Sequence, residues 1–230
     1  ILDVGANIGY YAVMESLLVG SGGQIVALEP SPENYRSLKK NIKLNNRSNI
    51  FAKCMAVSDK TESREFFLAR ESNLNTFYKP ILQKRGNLAG SISVETLAFS
   101  DVVSKHGEFD FLRMDIEGHE VFVLKDILSF AKEGRKCPDV IFEAHINAYG
   151  PDQDIAPVLR ALSECGYRVA MVASSNPAGT RIIENMGRQS IKRIVSDETV
   201  RTIHENLDVS ELIECITKTG GIRTVYLKAP

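Results

Sequence analysis

Hydrophobic residues along this chain fall into short continuous runs, separated by segments whose apolar residues recur at helical spacing. The runs predict buried parallel strands, which are covered on both faces and therefore lack alternation. The predicted strands cover residues 1–4, 24–29, 50–57, 109–115, 138–145, 167–173 and 224–228. Helices are predicted over 9–19, after the Ser31-Pro32 start signal, after Gly118 and over 154–165. This alternation indicates an α/β fold with a doubly wound, mainly parallel sheet, and we expect the last strand to pair antiparallel beside residues 167–173.

Two stretches depart from that alternation. Residues 64–69 and 91–97 predict two short strands, and the polar loop of residues 70–90 between them is either part of a substrate pocket or a surface loop. Residues 174–221 predict an insert before the last strand, with helical spacing over 196–218. The length of 230 residues predicts a single domain, 1–230, and a start at Ile1 inside the first strand leads us to expect an N-terminal truncation.

The first strand runs into a glycine-rich turn with the pattern Asp3-x-Gly5-x-x-x-Gly9. Glycine lets the backbone turn tightly and approach a ligand, and the start of the following helix presents free N–H groups. The second strand ends in Glu29, an acid suited to a bidentate hydrogen bond with a ribose diol. The sequence therefore predicts a site for a cofactor that contains a nucleoside.

The chemistry of the turn distinguishes between two such cofactors. A dinucleotide site follows the pattern G-x-G-x-x-G, whose second glycine clears room for a pyrophosphate, whereas Asn7 stands near that position here. An anionic Asp3 at the strand end repels a pyrophosphate but attracts the ammonium group of S-adenosylmethionine. The turn therefore favours S-adenosylmethionine over NAD.

Three predicted strands end in acids, Glu29, Asp115 and Glu143, at the sheet edge where open α/β folds bind ligands. Glu117 follows Asp115 by two residues, and His145 follows Glu143 by two, which places the latter pair on one side of an extended strand. A buried acid needs a partner or a ligand. We therefore expect Asp115, Glu117 and His145 to be the catalytic candidates.

Structural roles are open for some of these residues as well. Glu117 is also explained as an acid favoured by the dipole of the following helix, and His145 as a surface histidine. A set of Asp, Glu and His can bind Mg²⁺, but this spacing matches no recognised metal motif, so no metal site is predicted. His106, His119 and His204 follow no pattern and are predicted to lie at the surface.

Composition excludes little but sets the class of protein. Hydrophobic residues make up 43% and charged residues 25% of the chain, as in ordinary globular domains. A net charge of −1 with scattered basic residues gives no indication of binding to nucleic acid or to a membrane surface. No apolar run approaches the roughly 18 residues that span a bilayer. The four cysteines lie far apart, which indicates reduced, mostly buried thiols and a cytoplasmic protein.

Three segments carry a recognisable pattern, DVGANIGYY at 3–11, ALEPSPENY at 27–35 and DFLRMDIEGHE at 110–120, and a fourth, weaker match reads AVSD at 56–59. Together they resemble the FkbM family of S-adenosylmethionine-dependent methyltransferases. The resemblance covers roughly residues 1–145. It implies the class I methyltransferase fold, a Rossmann-like sheet of about seven strands with an antiparallel last strand. It also implies methyl transfer to a hydroxyl of a sugar, glycan or natural product.

Roles for individual residues follow from the resemblance by position. The methionine part of the cofactor would be held by Asp3, Gly5, Asn7 and Gly9. Glu29 would bind the ribose hydroxyls, the adenine would lie along Ala56, Val57 and Ser58, and Asp115 would lie beside the reacting methyl group. The expected cofactor site is completed by Ala6, Tyr10, Pro30 and Asn34.

Two positions depart from the family pattern, both on the acceptor side. Arg113 stands where such proteins often carry Lys two residues before the Asp, and Ala98 follows Thr96-Leu97 where they often carry Asp.

Two other functions also stay open, an NAD-dependent oxidoreductase and a non-catalytic module that keeps the fold. For a small-molecule or glycan hydroxyl, methyl transfer needs a base, for which Asp115, Glu117 and His145 are the candidates.

Overall fold

The computed structural model describes residues 1–196 and 198–230, which contain twelve strands and eight α-helices. The strands are β1 (Leu2–Val4), β2 (Ile25–Leu28), β3 (Ile50–Lys53), β4 (Ala56–Ser58), β5 (Glu62–Ala69), β6 (Leu88–Ala98), β7 (Phe111–Met114), β8 (Asp139–Glu143), β9 (Arg168–Ser174), β10 (Ser190–Ser196), β11 (Thr199–Glu205) and β12 (Ile222–Lys228). The α-helices are α1 (Tyr10–Leu18), α2 (Pro32–Leu44), α3 (Lys79–Lys84), α4 (Phe99–His106), α5 (Glu120–Lys132), α6 (Ile155–Glu164), α7 (Pro177–Asn185) and α8 (Val209–Glu214). Short 3₁₀ helices lie at Ser72–Leu74 and Ile146–Ala148, and a π-helical turn, Cys215–Thr219, continues α8.

The central sheet has the order β10-β11-β9-β12-β8-β7-β1-β2-β3. Strands β8, β7, β1, β2 and β3 pair in parallel. The last strand, β12, pairs antiparallel with both β8 and β9. Without the β10–β11 hairpin, this is the predicted Rossmann-like sheet of seven strands with an antiparallel last strand. The prediction of the class I methyltransferase fold is confirmed.

Both faces of the sheet are buried at its central strands β1 and β2, which explains their continuous apolar runs in the sequence. Along β2, Ile25 and Ala27 pack into a cluster with Ala12 of α1 and Leu38 of α2. The alternate β2 residues belong to a larger cluster on the opposite face, which includes side chains of α4, α5, α6 and α8. Because successive strand residues point to opposite faces, the central strands β1 and β2 need apolar residues at nearly every position.

The insert before the last strand differs from its prediction as a helical segment. Over 199–205 the chain forms β11, which pairs antiparallel with β9 and with β10. The helical spacing of Val200 and Ile203 is misleading, because the segment is rich in β-branched residues, and pairing with the edge of β9 favours a strand. In the second half of the insert, helix begins only at Val209, after the capping box formed by Asp208 and Glu211; the first half contains α7. Position 197 lies outside the described residues.

The predicted third strand, 50–57, is two strands in different sheets. Its first part is β3 of the central sheet, and its second part is β4, which joins β6 and β5 in a separate three-stranded sheet. A continuous apolar run does not reveal this change of sheet. The predicted strands at 64–69 and 91–97 are confirmed as β5 and β6. The polar loop between them contains one 3₁₀ turn and the short helix α3.

None of the described helices combines the length and the apolar content needed to cross a membrane. The four cysteines are free thiols, but their burial differs from the expectation. Only Cys215 is buried, Cys137 and Cys165 are half-buried, and Cys54 is exposed. The prediction of mostly buried thiols is therefore wrong.

The turn after β1 depends on a glycine for two reasons. Gly5 has φ of +78°, in the left-handed region, and its N–H donates to the carbonyl of Leu28 at 2.9 Å. A Cβ atom at this position would overlap the carbonyl oxygen of Asp115. The turn therefore packs directly against the backbone that follows β7.

We expect Gly5→Ala to destabilise the protein by about 2–5 kcal/mol, from the left-handed conformation together with the forced backbone shift. Gly20→Ala is the matched control, since Gly20 also has a positive φ of +66° but no atom lies within 4 Å of its added Cβ. The control should lose only about 1–2 kcal/mol. Urea unfolding followed by circular dichroism measures both, and equal losses would contradict the packing argument.

Candidate active site

A cavity of about 310 Å³ opens at the carboxyl ends of β1, β2 and β7, at the low end of the range of ligand pockets. Short strands bring the predicted residues to this edge: Gly5 follows β1, Glu29 follows β2 and Asp115 follows β7. The predicted residues that line the cavity are Gly5, Ala6, Asn7, Tyr10, Glu29, Pro30, Asn34, Ala56, Val57, Asp115 and Glu117.

Four predicted residues, Asp3, Gly9, Ser58 and His145, do not line this cavity. Asp3 and Ser58 are both fully buried. Gly9 is the N-cap of α1. A Cβ atom at this position would overlap the side chain of Leu38 on α2, so the glycine allows the two helices to approach. His145 instead lines a neighbouring cavity.

Glu29 is the best-held acid at the cavity. It is 4% exposed, and its two carboxylate oxygens accept N–H groups from Asn7 at 2.8 Å and from Ser31 at 2.9 Å. The side-chain amide of Asn34 lies 3.5 Å from one of these oxygens. Burial raises the pKa of Glu29 to about 7, although the N–H donors of Ser31 and Asn7 oppose the shift. The carboxylate is fixed in place and retains lone pairs for further donors.

Asn7 is strained and only partly hydrogen-bonded. Its φ of +50° lies in the left-handed region, which Asn tolerates better than most residues. Its side-chain oxygen is buried and accepts no hydrogen bond from a described residue. This oxygen lies beside the cavity and is available to a hydrogen-bond donor there.

Asp3 is neutralised by Arg113, the residue beside it on β7. Arg113 donates to Asp3 Oδ1 at 2.9 Å and to Asp115 Oδ2 at 3.2 Å. The guanidinium also stacks on the ring of Tyr11, 3.9 Å from its centroid. Burial raises the pKa of Asp3, and the charge of Arg113 counteracts this. Arg113 thus connects the turn after β1, helix α1 and the acid at the end of β7.

Residues of the loop between β5 and β6 close one side of the cavity, as one of the two sequence interpretations proposed. Asn73, Asn75 and Phe77 line it, and Phe77 packs edge-on against Phe66 of β5 at 4.9 Å between ring centroids. The loop residues are recognisable from the sequence, because they are polar and aromatic between two predicted strands. Phe66 is not, because its place at the cavity depends on the position of the second sheet.

His119 is buried, at 1% exposed, so its prediction as a surface histidine is wrong. Its ring nitrogens lie 2.8 Å from Ser58 Oγ and 2.8 Å from the Tyr78 hydroxyl. Burial and the charge of Arg64 lower the pKa of His119 to about 3, so the ring is neutral. His204 is also buried, with its ring held by Thr202 and a backbone carbonyl. Both are structural.

His145 is surrounded by carboxylates. Its Nε2 lies 3.7 Å from Asp115, 3.6 Å from Glu117 and 3.6 Å from Glu143, and its Nδ1 is 2.7 Å from Glu120. Burial opposes a charge on the ring, but the hydrogen bond and charge of Glu120 raise the pKa of His145 to about 9. For the carboxyl group of Glu117, burial has the opposite effect on the pKa and raises it to about 7. The predicted convergence of the acids at the ends of β7 and β8 with His145 is present.

Glu117 lies between two cavities. It lines the first cavity and also a second one of about 270 Å³, whose wall contains His145, Thr76, Arg85 and Ser175. Its φ of +48° is left-handed, which is strained for Glu, and Thr76 Oγ1 donates to its carbonyl at 2.8 Å. Strain of this kind is typical of functional sites.

The strand order and the acid at the end of β2 define a Rossmann-like protein of the class I methyltransferase type. A sequence model of the methyltransferase FkbM domain matches residues 3–169, well over half of the chain. The chain therefore belongs to the FkbM methyltransferase domain family. No curated protein sequence matches it.

Three solved structures with a similar fold have low sequence identity to this chain. The methyltransferase FkbM of Methylobacillus flagellatus has 15% identity and a TM-score of 0.43 over 89% of this chain, which spans 42% of the length of that protein. A precorrin-6y C5,15-methyltransferase of Geobacter metallireducens has 13% identity and a TM-score of 0.45, over 100% of this chain and 78% of that one. An O-methyltransferase of Bacillus cereus, in complex with S-adenosylhomocysteine, has 13% identity and a TM-score of 0.41, over 89% and 73%. Similarity at this level does not identify an acceptor.

We expect Arg113→Met to destabilise the protein by about 3–5 kcal/mol, because it leaves the carboxylate of Asp3 buried without its counter-charge. Adding Asp3→Asn should recover part of this loss, since the buried charge is then removed. Lys136→Met is the control; it breaks an exposed pair with Asp110 and should leave stability unchanged. Urea unfolding curves of the four proteins test this, and a double variant less stable than Arg113→Met would contradict it.

Proposed function

We propose that this protein transfers a methyl group from S-adenosylmethionine to a hydroxyl group of a sugar, glycan or natural product. The observation that carries the proposal is the carboxylate of Glu29, fixed by backbone N–H groups on the wall of the cavity in a chain of the FkbM family. Such a carboxylate is suited to accept both hydroxyls of a ribose. The unpartnered oxygen of Asn7 provides a further acceptor close to it.

The remaining residues of the cavity fit the parts of this cofactor. Ala56 and Val57 line the cavity together with the aromatic pair Phe66 and Phe77, which offers an apolar surface for an adenine. We propose that residues 5–7 and Tyr10 hold the methionine part. Contact between Asp3 and the cofactor's ammonium stays a prediction, because Arg113 already binds one oxygen of that carboxylate.

The two alternative functions fit this site less well. A pyrophosphate of NAD would meet the acids Asp115, Glu117 and Glu143 in the cavity lining. Both arginines among the described residues of that lining are already paired, Arg113 with Asp3 and Asp115 and Arg223 with Glu143. A non-catalytic module would need no convergent acids beside the cofactor. We further propose a small-molecule or glycan acceptor and a cytoplasmic location, the latter because the cysteines are free.

The chain's own residues have two tasks in this reaction, to position the acceptor and to accept its proton. When bound, the cofactor supplies an activated methyl group and leaves uncharged after transfer. Positioning alone can be worth about 7–11 kcal/mol. Of the candidates Asp115, Glu117 and His145, we propose Glu117 as the proton acceptor, because it lines both cavities. An acceptor in the second cavity would then place its hydroxyl beside Glu117.

We expect S-adenosylhomocysteine to bind more tightly as pH rises through about 7 and to approach constant affinity above about pH 8. Ribose hydroxyls donate to the ionised carboxylate, so protonation of Glu29, with its pKa raised to about 7, weakens binding as pH falls. The gain between pH 6 and pH 8 should reach up to about tenfold. Isothermal titration calorimetry across this range measures it, with NAD as a ligand that should give no signal.

Two variants make this test specific. Glu29→Gln should bind weakly and without pH dependence, whereas Glu33→Gln, an exposed acid in the first turn of α2, should behave as wild type. Wild-type affinity in Glu29→Gln, or binding of NAD, would remove the basis of the proposed cofactor.

We expect Glu117→Gln to lower kcat by about 10²–10⁴-fold, the usual contribution of a general base, while affinity for S-adenosylhomocysteine changes less than twofold. Methyl transfer to a panel of sugar and phenolic hydroxyls gives kcat, and calorimetry gives the affinity. An equal loss of binding would assign Glu117 to the cofactor site instead. Tight cofactor binding without turnover on any acceptor would favour the non-catalytic alternative.

A further inference from the structure

Three metal-ligating side chains converge beside the cofactor cavity. One atom of each of Asp115, Glu143 and His145 lies within 4.8 Å of the other two. Two ligands of a single Mg²⁺-sized ion lie roughly 3 Å apart when adjacent and about 4.2 Å apart when opposite, given bonds of about 2.1 Å. The separations of 3.7 and 3.6 Å from His145 Nε2 to the two carboxylates fall between these values.

Each of these side chains is oriented through its other polar atom. Asp115 Oδ2 accepts from Arg113 at 3.2 Å, and Glu143 Oε2 lies 3.1 Å from Arg223, so Oδ1 and Oε1 are left to face His145. The ring of His145 is held through Nδ1, which leaves Nε2 on the side of the carboxylates. A histidine whose second nitrogen binds a carboxylate is the usual arrangement at protein metal sites.

Glu120 fixes His145 from the side of the ring opposite the two carboxylates. It is fully buried, and its Oε1 is the partner of His145 Nδ1 at 2.7 Å and accepts the backbone N–H of Gly118 at 3.1 Å. A fully buried carboxylate needs a polar or charged partner, and His145 is that partner here. The ring is therefore held with Nε2 toward Asp115 and Glu143.

Negative groups outnumber positive groups around this cluster when all of its carboxylates are ionised. Five carboxylates lie within 4 Å of Arg113 or His145. They belong to Asp3, Asp115, Glu117, Glu120 and Glu143. The positive groups among their described partners are two arginines, Arg113 and Arg223, and the ring of His145. A divalent cation would remove the excess negative charge.

We propose that Asp115, Glu143 and His145 bind one divalent cation, with Glu120 as the residue that orients His145. Two carboxylates and one imidazole suit Mn²⁺ and similar first-row ions, since imidazole is a poor ligand for Ca²⁺ and Mg²⁺. Three protein ligands leave coordination positions free for water or an acceptor. Glu117, 3.6 Å from His145 Nε2, lies close enough to hydrogen-bond a water on the ion.

The position of the ion suggests its use, which rests on the proposed function. Asp115 and Glu143 line the first cavity and His145 lines the second, so the cation lies where cofactor and acceptor meet. A metal-bound hydroxyl loses its proton more readily than a free one. The acceptor class that follows is a hydroxyl with a second oxygen nearby, such as a vicinal diol or an α-hydroxy acid, which can chelate the ion.

Titration of the whole protein with Mn²⁺, followed by electron paramagnetic resonance of the free ion, tests the site without any acceptor. We expect one saturable Mn²⁺ per chain. Glu143→Gln and His145→Gln should each weaken binding at least tenfold, and Glu120→Gln should weaken it by about 10–100-fold as an outer-shell change. Asp110→Asn is the matched control, because this exposed acid precedes the opposite end of β7 and should leave binding unchanged.

Circular dichroism of each variant verifies folding, and thermal unfolding gives a second readout. Mn²⁺ should raise Tm of the wild type and of Asp110→Asn but not that of Glu143→Gln. No saturable binding by folded wild type, or equal affinity in the ligand variants, would overturn the metal site. Calorimetry with S-adenosylhomocysteine on the same samples separates the two proposals. If the protein binds S-adenosylhomocysteine but not Mn²⁺, only the cation site is overturned. If it binds Mn²⁺ but not S-adenosylhomocysteine, only the proposed function is overturned.

Discussion

The contact between Asp3 and Arg113 organises this molecule from the centre of its sheet. The two residues are direct partners on the adjacent parallel strands β1 and β7, so the pair forms as soon as the strands are in register. The guanidinium stacks on Tyr11 at the start of α1 and also binds Asp115. One side chain therefore sets the position of the glycine turn, the first helix and the acidic cluster. Its cost is the burial of charge, which is tolerable only because each group has a partner.

Around this pair, the site follows one physical scheme: polar side chains are fixed by one atom and present another. Glu29 is held by backbone N–H groups, His145 by Glu120, and Asp115 and Glu143 by arginines. Fixing side chains in advance lowers the entropy that binding must overcome. The left-handed residues Asn7 and Glu117 belong to the same scheme, because their backbone strain directs a side chain that regular structure would point elsewhere.

Much of this arrangement could be predicted from the sequence, because it depends on where strands end. Glu29, Asp115 and Glu143 each follow or close an apolar run, and a parallel sheet brings such ends together. Arg113 could not be assigned, since its partner is 110 residues away and pairing depends on strand register. The burial of His119 was equally hidden, because it results from the second sheet, which the split of residues 50–57 creates. The hairpin of β10 and β11 could not be predicted, because pairing of β11 with the edge of β9 outweighs the helical spacing of its apolar residues.

That hairpin has a consequence for how the molecule behaves among its own copies. An open sheet edge exposes unpaired backbone groups and invites a second chain to add a strand. Here β10 is one of the two edge strands of the central sheet, and its backbone register is interrupted between Ser190 and Lys192. Adjacent exposed cations, Lys192 and Arg193, lie in the middle of the strand. Bringing two such edges together would oppose like charges on an irregular backbone, so the strand that extends the sheet also limits its growth into aggregates.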